Sequence, residues 1–132
     1  MLEAAVVIDL SGAPIHWHLP AERTAVHLPD SRSLWQVLWA ERQRLAGVAH
    51  THPGVGSPAP SWEDLTTFAA CEAGLGRRLD WWIATMDQIR LFRWAGPSPH
   101  RYLGCPLTAP PAWLPQLRAR STQPSSHTRS TP

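Results

Sequence analysis

The sequence predicts an α/β domain, and three observations carry that reading. Strand-length apolar runs open the chain and recur after residue 80, two segments between them place apolar residues at near-helical spacing, and a short alternating run at residues 48–52 separates those segments. The order is therefore strands, helix, strand, helix, strands.

Residues 2–10 are rich in Val and Ile and end at Ser11-Gly12-Ala13-Pro14, which reads as a strand and a turn, and residues 15–19 supply a second strand for a hairpin. Residues 31–45 place Leu34, Val37, Leu38, Glu41 and Leu45 at helical spacing, with Asp30 or Ser31 as N-cap and Gly47 as the stop. Trp35 and Trp39, four apart on that helix, read as packing residues rather than a recognition platform. Residues 48–52 form a strand that runs out at Pro53, and Gly54, Gly56, Pro58 and Pro60 keep 53–60 a loop. A second helix spans 61–75, closing at Gly74 and Gly76, and 81–85 and 88–94 form a strand pair joined at Met86-Asp87.

The 132 residues, 43% apolar, suffice for one domain with a single core. The division expected is a folded domain over 1–103 and a Pro/Ser/Arg-rich tail over 104–132. That tail carries six prolines in 29 residues and is expected to be disordered beyond about Leu117, because so little apolar surface does not offset its ordering entropy. The net charge of +2 resides in the tail, and the body carries nine arginines against ten acids, which argues against a nucleic-acid partner. All basic residues are arginine, as compositional bias toward Ala, Pro, Arg and Trp would produce. Cys71 and Cys105 have neither disulfide-framework nor CxxC spacing. With no basic leader and no run near the roughly 18 apolar residues of a membrane span, a cytoplasmic setting without membrane contact is the default expectation.

The chemistry concentrates at His50, His52, Ser61 and Asp64. Strand residues two apart share a face, so the imidazoles of His50 and His52 stand side by side while Thr51 faces away. The loop then returns the chain to a helix whose first turn holds Asp64. Two imidazoles and a carboxylate suit zinc, and three protein ligands leave a fourth position for water, as catalytic zinc sites do. A general base must come from upstream. Glu3, Glu22 and Glu41 are the candidates: Glu41 lies mid-helix on an otherwise apolar side, Glu22 sits in a Pro-flanked connection, and Glu3 opens a strand able to pair beside 48–52. Taken singly, each feature has a plainer explanation, and Ser61-x-x-Asp64 alone is an ordinary capping arrangement. Their conjunction in one spacing gives them weight.

The stretch His50-x-His52-Pro53-x7-Ser61-x-x-Asp64, with a glutamate several tens of residues before it, resembles the JAMM motif of the JAB/MPN metalloproteases. That resemblance implies a deaminase-like α/β fold with a central mixed sheet and flanking helices over about residues 3–94. It further implies Zn2+ bound by His50, His52 and Asp64, Glu3 as the base acting on water, and Ser61 as hydrogen-bond donor to the oxyanion. Active relatives are peptidases or isopeptidases cutting at the C-terminal glycine end of ubiquitin-like proteins or sulfur carriers, so such a protein is the expected substrate, with E1-like and E2-like enzymes as further partners. Relatives usually carry a helix and a strand before the glutamate, which here is residue 3. The chain also looks too short for the insertions that select polyubiquitin linkages. Beside hydrolysis stand two other readings, a non-catalytic MPN-type scaffold and a RadC-like protein.

Overall fold

In the computed structural model, which describes residues 1–122, the opening apolar run forms strand β1 (Ala5–Asp9), and β2 (Pro14–His18) folds back on it antiparallel. The turn between them is built on Asp9, whose Oδ1 accepts from the Ser11 and Ala13 amides, both at 2.9 Å, while Gly12 supplies the positive φ of 87°. Helix α1 (Ser31–Ala40) follows, capped by the Asp30 carboxylate on the Ser33 amide at 3.1 Å. Then come β3 (Leu45–Thr51), α2 (Trp62–Leu75), β4 (Asp80–Ala84), β5 (Ile89–Trp94), β6 (Tyr102–Pro106) and α3 (Leu114–Thr122).

The six strands form one mixed sheet in the order β2-β1-β3-β4-β5-β6. Only β3 and β4 run parallel, so α2 is the crossover that parallel neighbours require. The sheet is covered on both faces. Ala5, Val7, Val48, Trp81, Ile83 and Phe92 pack with Leu38 of α1 and Phe68 of α2 on one side. Ala4, Val6, Ile8, Ala49 and Ala84 pack with Trp113, Leu114 and Leu117 on the other. The two-residue alternation of β1 and β3 is thus read out in two separate cores. The α/β class expected from the sequence holds, and no described helix is long and apolar enough to cross a membrane.

Two expectations are corrected. The first helix ends at Ala40 rather than Leu45, because residues 41–44 form a turn in which the Arg44 amide bonds to the Glu41 carbonyl at 3.0 Å and the Arg44 carbonyl accepts from Leu10 at 2.8 Å. Gly47 is accordingly no helix stop. It lies inside β3, where a Cβ would stand 1.7 Å from the Asp80 carbonyl oxygen, so the close approach of β4 demands glycine. The second correction concerns the end of the chain. The expected boundary at 103/104 falls within β6, and Leu117, from which disorder was expected, sits in α3 with none of its surface exposed. The apolar content of this segment is small but concentrated: Trp113, Leu114 and Leu117 all reach the sheet, and Trp113 meets Trp82 edge-on at 5.5 Å. Residues 123–132, the rest of the expected tail, lie outside the described residues.

If α3 closes the second core, Leu117→Ala lowers the unfolding free energy by about 2–5 kcal/mol, the range for large-to-small changes at buried leucines. Urea titration followed by circular dichroism measures it, and a loss under about 0.5 kcal/mol would place α3 off the sheet.

Candidate metal centre

His50 is the penultimate residue of β3 and faces the side covered by α1 and α2, with its ring 6.4 Å from Phe68. Thr51 faces the opposite side and is fully buried, where its Oγ1 meets Ser121 of α3 and accepts from the Ala4 amide at 3.0 Å. His52 follows the strand, held by its amide on the Ala84 carbonyl at 2.9 Å, and so returns to the face of His50. The loop after it is pinned rather than free. Met86 donates to Gly54 at 2.8 Å, Asp87 accepts from the Gly56 amide at 2.8 Å, and Thr85 donates to the Gly56 carbonyl at 2.6 Å.

That loop delivers the chain to the start of α2. Ser61 is the N-cap, accepting from the Asp64 amide at 3.0 Å, and the Asp64 carboxylate accepts in return from the Ser61 amide at 2.9 Å. The capping box anticipated as the plain explanation is therefore present, and it orients Asp64 toward the histidines. Asp64 Oδ2 lies 2.9 Å from His52 Nε2, Oδ1 lies 3.3 Å from His50 Nε2, and the two Nε2 atoms are 3.0 Å apart.

Three donor atoms thus converge from two histidines and one carboxylate, all within 4.8 Å of one another. A tetrahedral ion with bonds of about 2.0–2.1 Å needs ligands roughly 3.3 Å apart, so the observed spacing is close to that of a ligand set. Protons alone satisfy the cluster poorly. The 3.0 Å approach of the two Nε2 atoms leaves room for one proton between them, whereas a cation would meet a lone pair of each imidazole and of the carboxylate.

The electrostatics follow from burial and this convergence. Burial works against the charged forms of both Asp64 and His50, but hydrogen bonds from His50 and His52 hold the Asp64 carboxyl well below its ordinary range, and Asp64 and Glu3 draw His50 above its own. Glu3, just ahead of β1 and only 8% exposed, lines the same cleft as His50 and Asp64. Burial pushes its carboxyl up, opposed by the nearby histidines and reinforced by Asp64 and Glu63.

All five residues singled out in the sequence are therefore accounted for: His50, His52 and Asp64 form the cluster, Glu3 faces the same cleft, and Ser61 caps the helix that carries Asp64. The other two upstream acids lie elsewhere. Glu41 pairs with Arg44 at 2.6 Å beyond the end of α1, and Glu22 is exposed in the connection after β2. Glu63 also lines the cleft, and its carboxylate lies 3.3 Å from His27.

Other polar residues around the site escaped the sequence reading. Glu72 is buried under α2 and accepts from Arg78 at 3.0 Å, from the Leu79 amide and Trp81 Nε1, each at 2.9 Å, and from the Tyr102 hydroxyl. Its spacing of four from Phe68, on the buried side of α2, was a usable signal. Arg23, 3% exposed, and His18, 5% exposed, gave none. A comparison with known protein families finds no family model that matches the chain, and no curated protein matches it either.

His18, at the end of β2, lines the cleft, and its Nε2 donates to the Pro29 carbonyl at 2.9 Å. Burial lowers its pKa below 6.5, although Pro29 and Asp30 pull the other way. The unfolded imidazole therefore takes up its proton first, and the stability His18 contributes at neutral pH is lost as pH falls below about 6.5. In urea titrations of chelator-treated protein between pH 7.5 and 5, wild type is expected to lose more stability than His18→Gln, by at most about 1.4 kcal/mol per pH unit; equal losses would mean that His18 is not held neutral.

Proposed function

We propose that this chain is a zinc-dependent peptidase or isopeptidase of the JAB/MPN type, hydrolysing the bond after the C-terminal glycine tail of a ubiquitin-like or sulfur-carrier protein. The observation that supports it most is the convergence of His50 Nε2, His52 Nε2 and an Asp64 carboxylate at ligand spacing, in a cleft that Glu3 also lines. The mixed sheet with helices on both faces agrees with the deaminase-like fold the resemblance implies.

His50, His52 and Asp64 would hold the ion. When bound there, zinc supplies Lewis acidity toward a carbonyl and brings the pKa of water to near 7. The remaining steps belong to the chain. The Glu3 carboxylate takes the proton of the attacking water and returns it to the departing amine nitrogen, and burial keeps bulk water from competing for that transfer. The Ser61 hydroxyl accepts from the Asp64 amide, which leaves its own proton free to donate to the carbonyl oxygen as negative charge develops there. A glycine tail suits the site because it brings no side chain into a largely buried cleft, and an extended peptide can add to β2, the edge strand whose His18 lines that cleft.

The test pairs metal content with cleavage. Purified protein is expected to bind about one zinc per chain and to release a reporter fused behind the Gly-Gly tail of a ubiquitin-like domain, with chelation abolishing cleavage and zinc restoring it. His52→Ala loses the metal. Full zinc content in His52→Ala removes the proposed centre, and a zinc-loaded wild type that cuts no such fusion removes the reaction.

The roles of Glu3 and Ser61 separate in the same assay. Glu3→Gln retains zinc while kcat falls about 10²–10⁴-fold, and Ser61→Ala lowers kcat about 10²–10³-fold. Unchanged turnover in Glu3→Gln transfers the proton role to another group.

A further inference from the structure

Glu3 lies just ahead of β1, outside the strand's own ladder, yet it is 8% exposed. Its main chain is held from several sides. The Glu3 amide donates to the Thr24 carbonyl at 2.7 Å, the Leu2 amide donates to the Ser121 carbonyl at 2.8 Å, and the Glu3 carbonyl accepts from Arg23 Nη1 at 3.0 Å. Nη2 of the same guanidinium reaches the Arg120 carbonyl at 3.1 Å. Arg23 is itself 3% exposed, and burial lowers its pKa. The guanidinium thus joins two main-chain carbonyls that lie 20 and 97 residues away in sequence, one at Glu3 and one in α3.

We propose that Arg23 is a positioning residue for Glu3: by bridging the carbonyls of Glu3 and Arg120 it fastens the first residues of the chain to α3 and so fixes the Glu3 carboxylate over the cluster of His50, His52 and Asp64. The inference rests on the proton-transfer role given to Glu3 above. The geometry needs arginine, because a planar fork spans two carbonyls at once whereas an ammonium is a single point of charge. It gives α3 a second task besides closing a core, since Arg120 and Ser121 supply the carbonyls that hold residues 2 and 3. Thr51 strengthens the same joint, bonding both Ser121 and the Ala4 amide from the strand that carries the histidines.

The experiment uses zinc-loaded full-length protein and two readouts. In wild type, amide exchange at Leu2 and Glu3 is expected to be at least about 100-fold slower than in an unstructured peptide. In Arg23→Lys and Arg23→Gln that protection drops at least about tenfold while β3 and β4 stay protected, and kcat falls at least about tenfold with KM and zinc affinity within about twofold. Leu2→Pro, which deletes the amide bonded to Ser121 at the surface of the joint, loosens the same residues and serves if the Arg23 variants fail to fold. Unprotected Leu2 and Glu3 amides in wild type overturn the proposal, as does unchanged kcat in Arg23→Gln or a fall in kcat matched by loss of zinc. Should wild type bind zinc and cleave no Gly-Gly fusion, the exchange result still decides whether Arg23 holds Glu3, while the proposed reaction fails separately.

Discussion

The pairing of β1 with β3 is the constraint on which the rest of the site depends. Ala5 stands opposite His50 in an antiparallel ladder, and continuing that register by two residues brings Glu3 opposite His52. Because side chains alternate along a strand, one register then settles several placements together. His50 and Ala5 face α1 and α2, while Ala4, Val6 and Ala49 face α3. A slip of one residue would turn His50 into the α3 core and bring Thr51 to the cleft, so the contacts of His50 with Phe68 on one face and of Thr51 with Ser121 on the other enforce the register.

Asp64 shows how a structural and a chemical role reinforce each other. Its carboxylate closes the capping box with the Ser61 amide and also meets both histidines, three acceptor interactions for one group. The N3 position of a capping box is usually filled by Glu or Gln, whereas here it is the shorter Asp64. The box holds the Asp64 side chain in place, so less side-chain entropy would be lost in the proposed coordination of an ion. The pinned loop at 53–60 acts in the same direction by fixing where α2 begins relative to His52.

The cluster was legible in the sequence because its elements are local: a two-residue strand period, a loop and the first turn of a helix, with only 14 residues from His50 to Asp64. From residue chemistry Glu3 was one of three candidates, and only the family resemblance singled it out, since choosing among them otherwise requires knowing which strand pairs with β3. The end of α1 was misplaced because apolar spacing continues to Leu45, a residue whose periodicity fits either the helix or the strand it actually begins. Composition misled most about α3. Averaged over the last 29 residues the chain looks too polar to fold, but folding depends on where apolar groups lie, and Trp113, Leu114 and Leu117 are gathered against one patch of the sheet.

This placement of α3 explains why the two faces of the sheet are not independent. The first residues of the chain lie between the cleft on one face and α3 on the other, and Thr51, between the two histidines in sequence, is bonded to the far side through Ser121. Loosening α3 therefore acts on the cleft without any residue of α3 entering it: Leu2 loses its carbonyl partner, Arg23 loses its bond to the Arg120 carbonyl, and Thr51 loses its bond to Ser121. Glu3, the member of the group held by long-range contacts rather than by a local element, is the first to be displaced. The cluster itself, formed by β3 and the cap of α2, stays intact, so the proposed metal binding and the proposed proton transfer would rest on separable parts of one small fold.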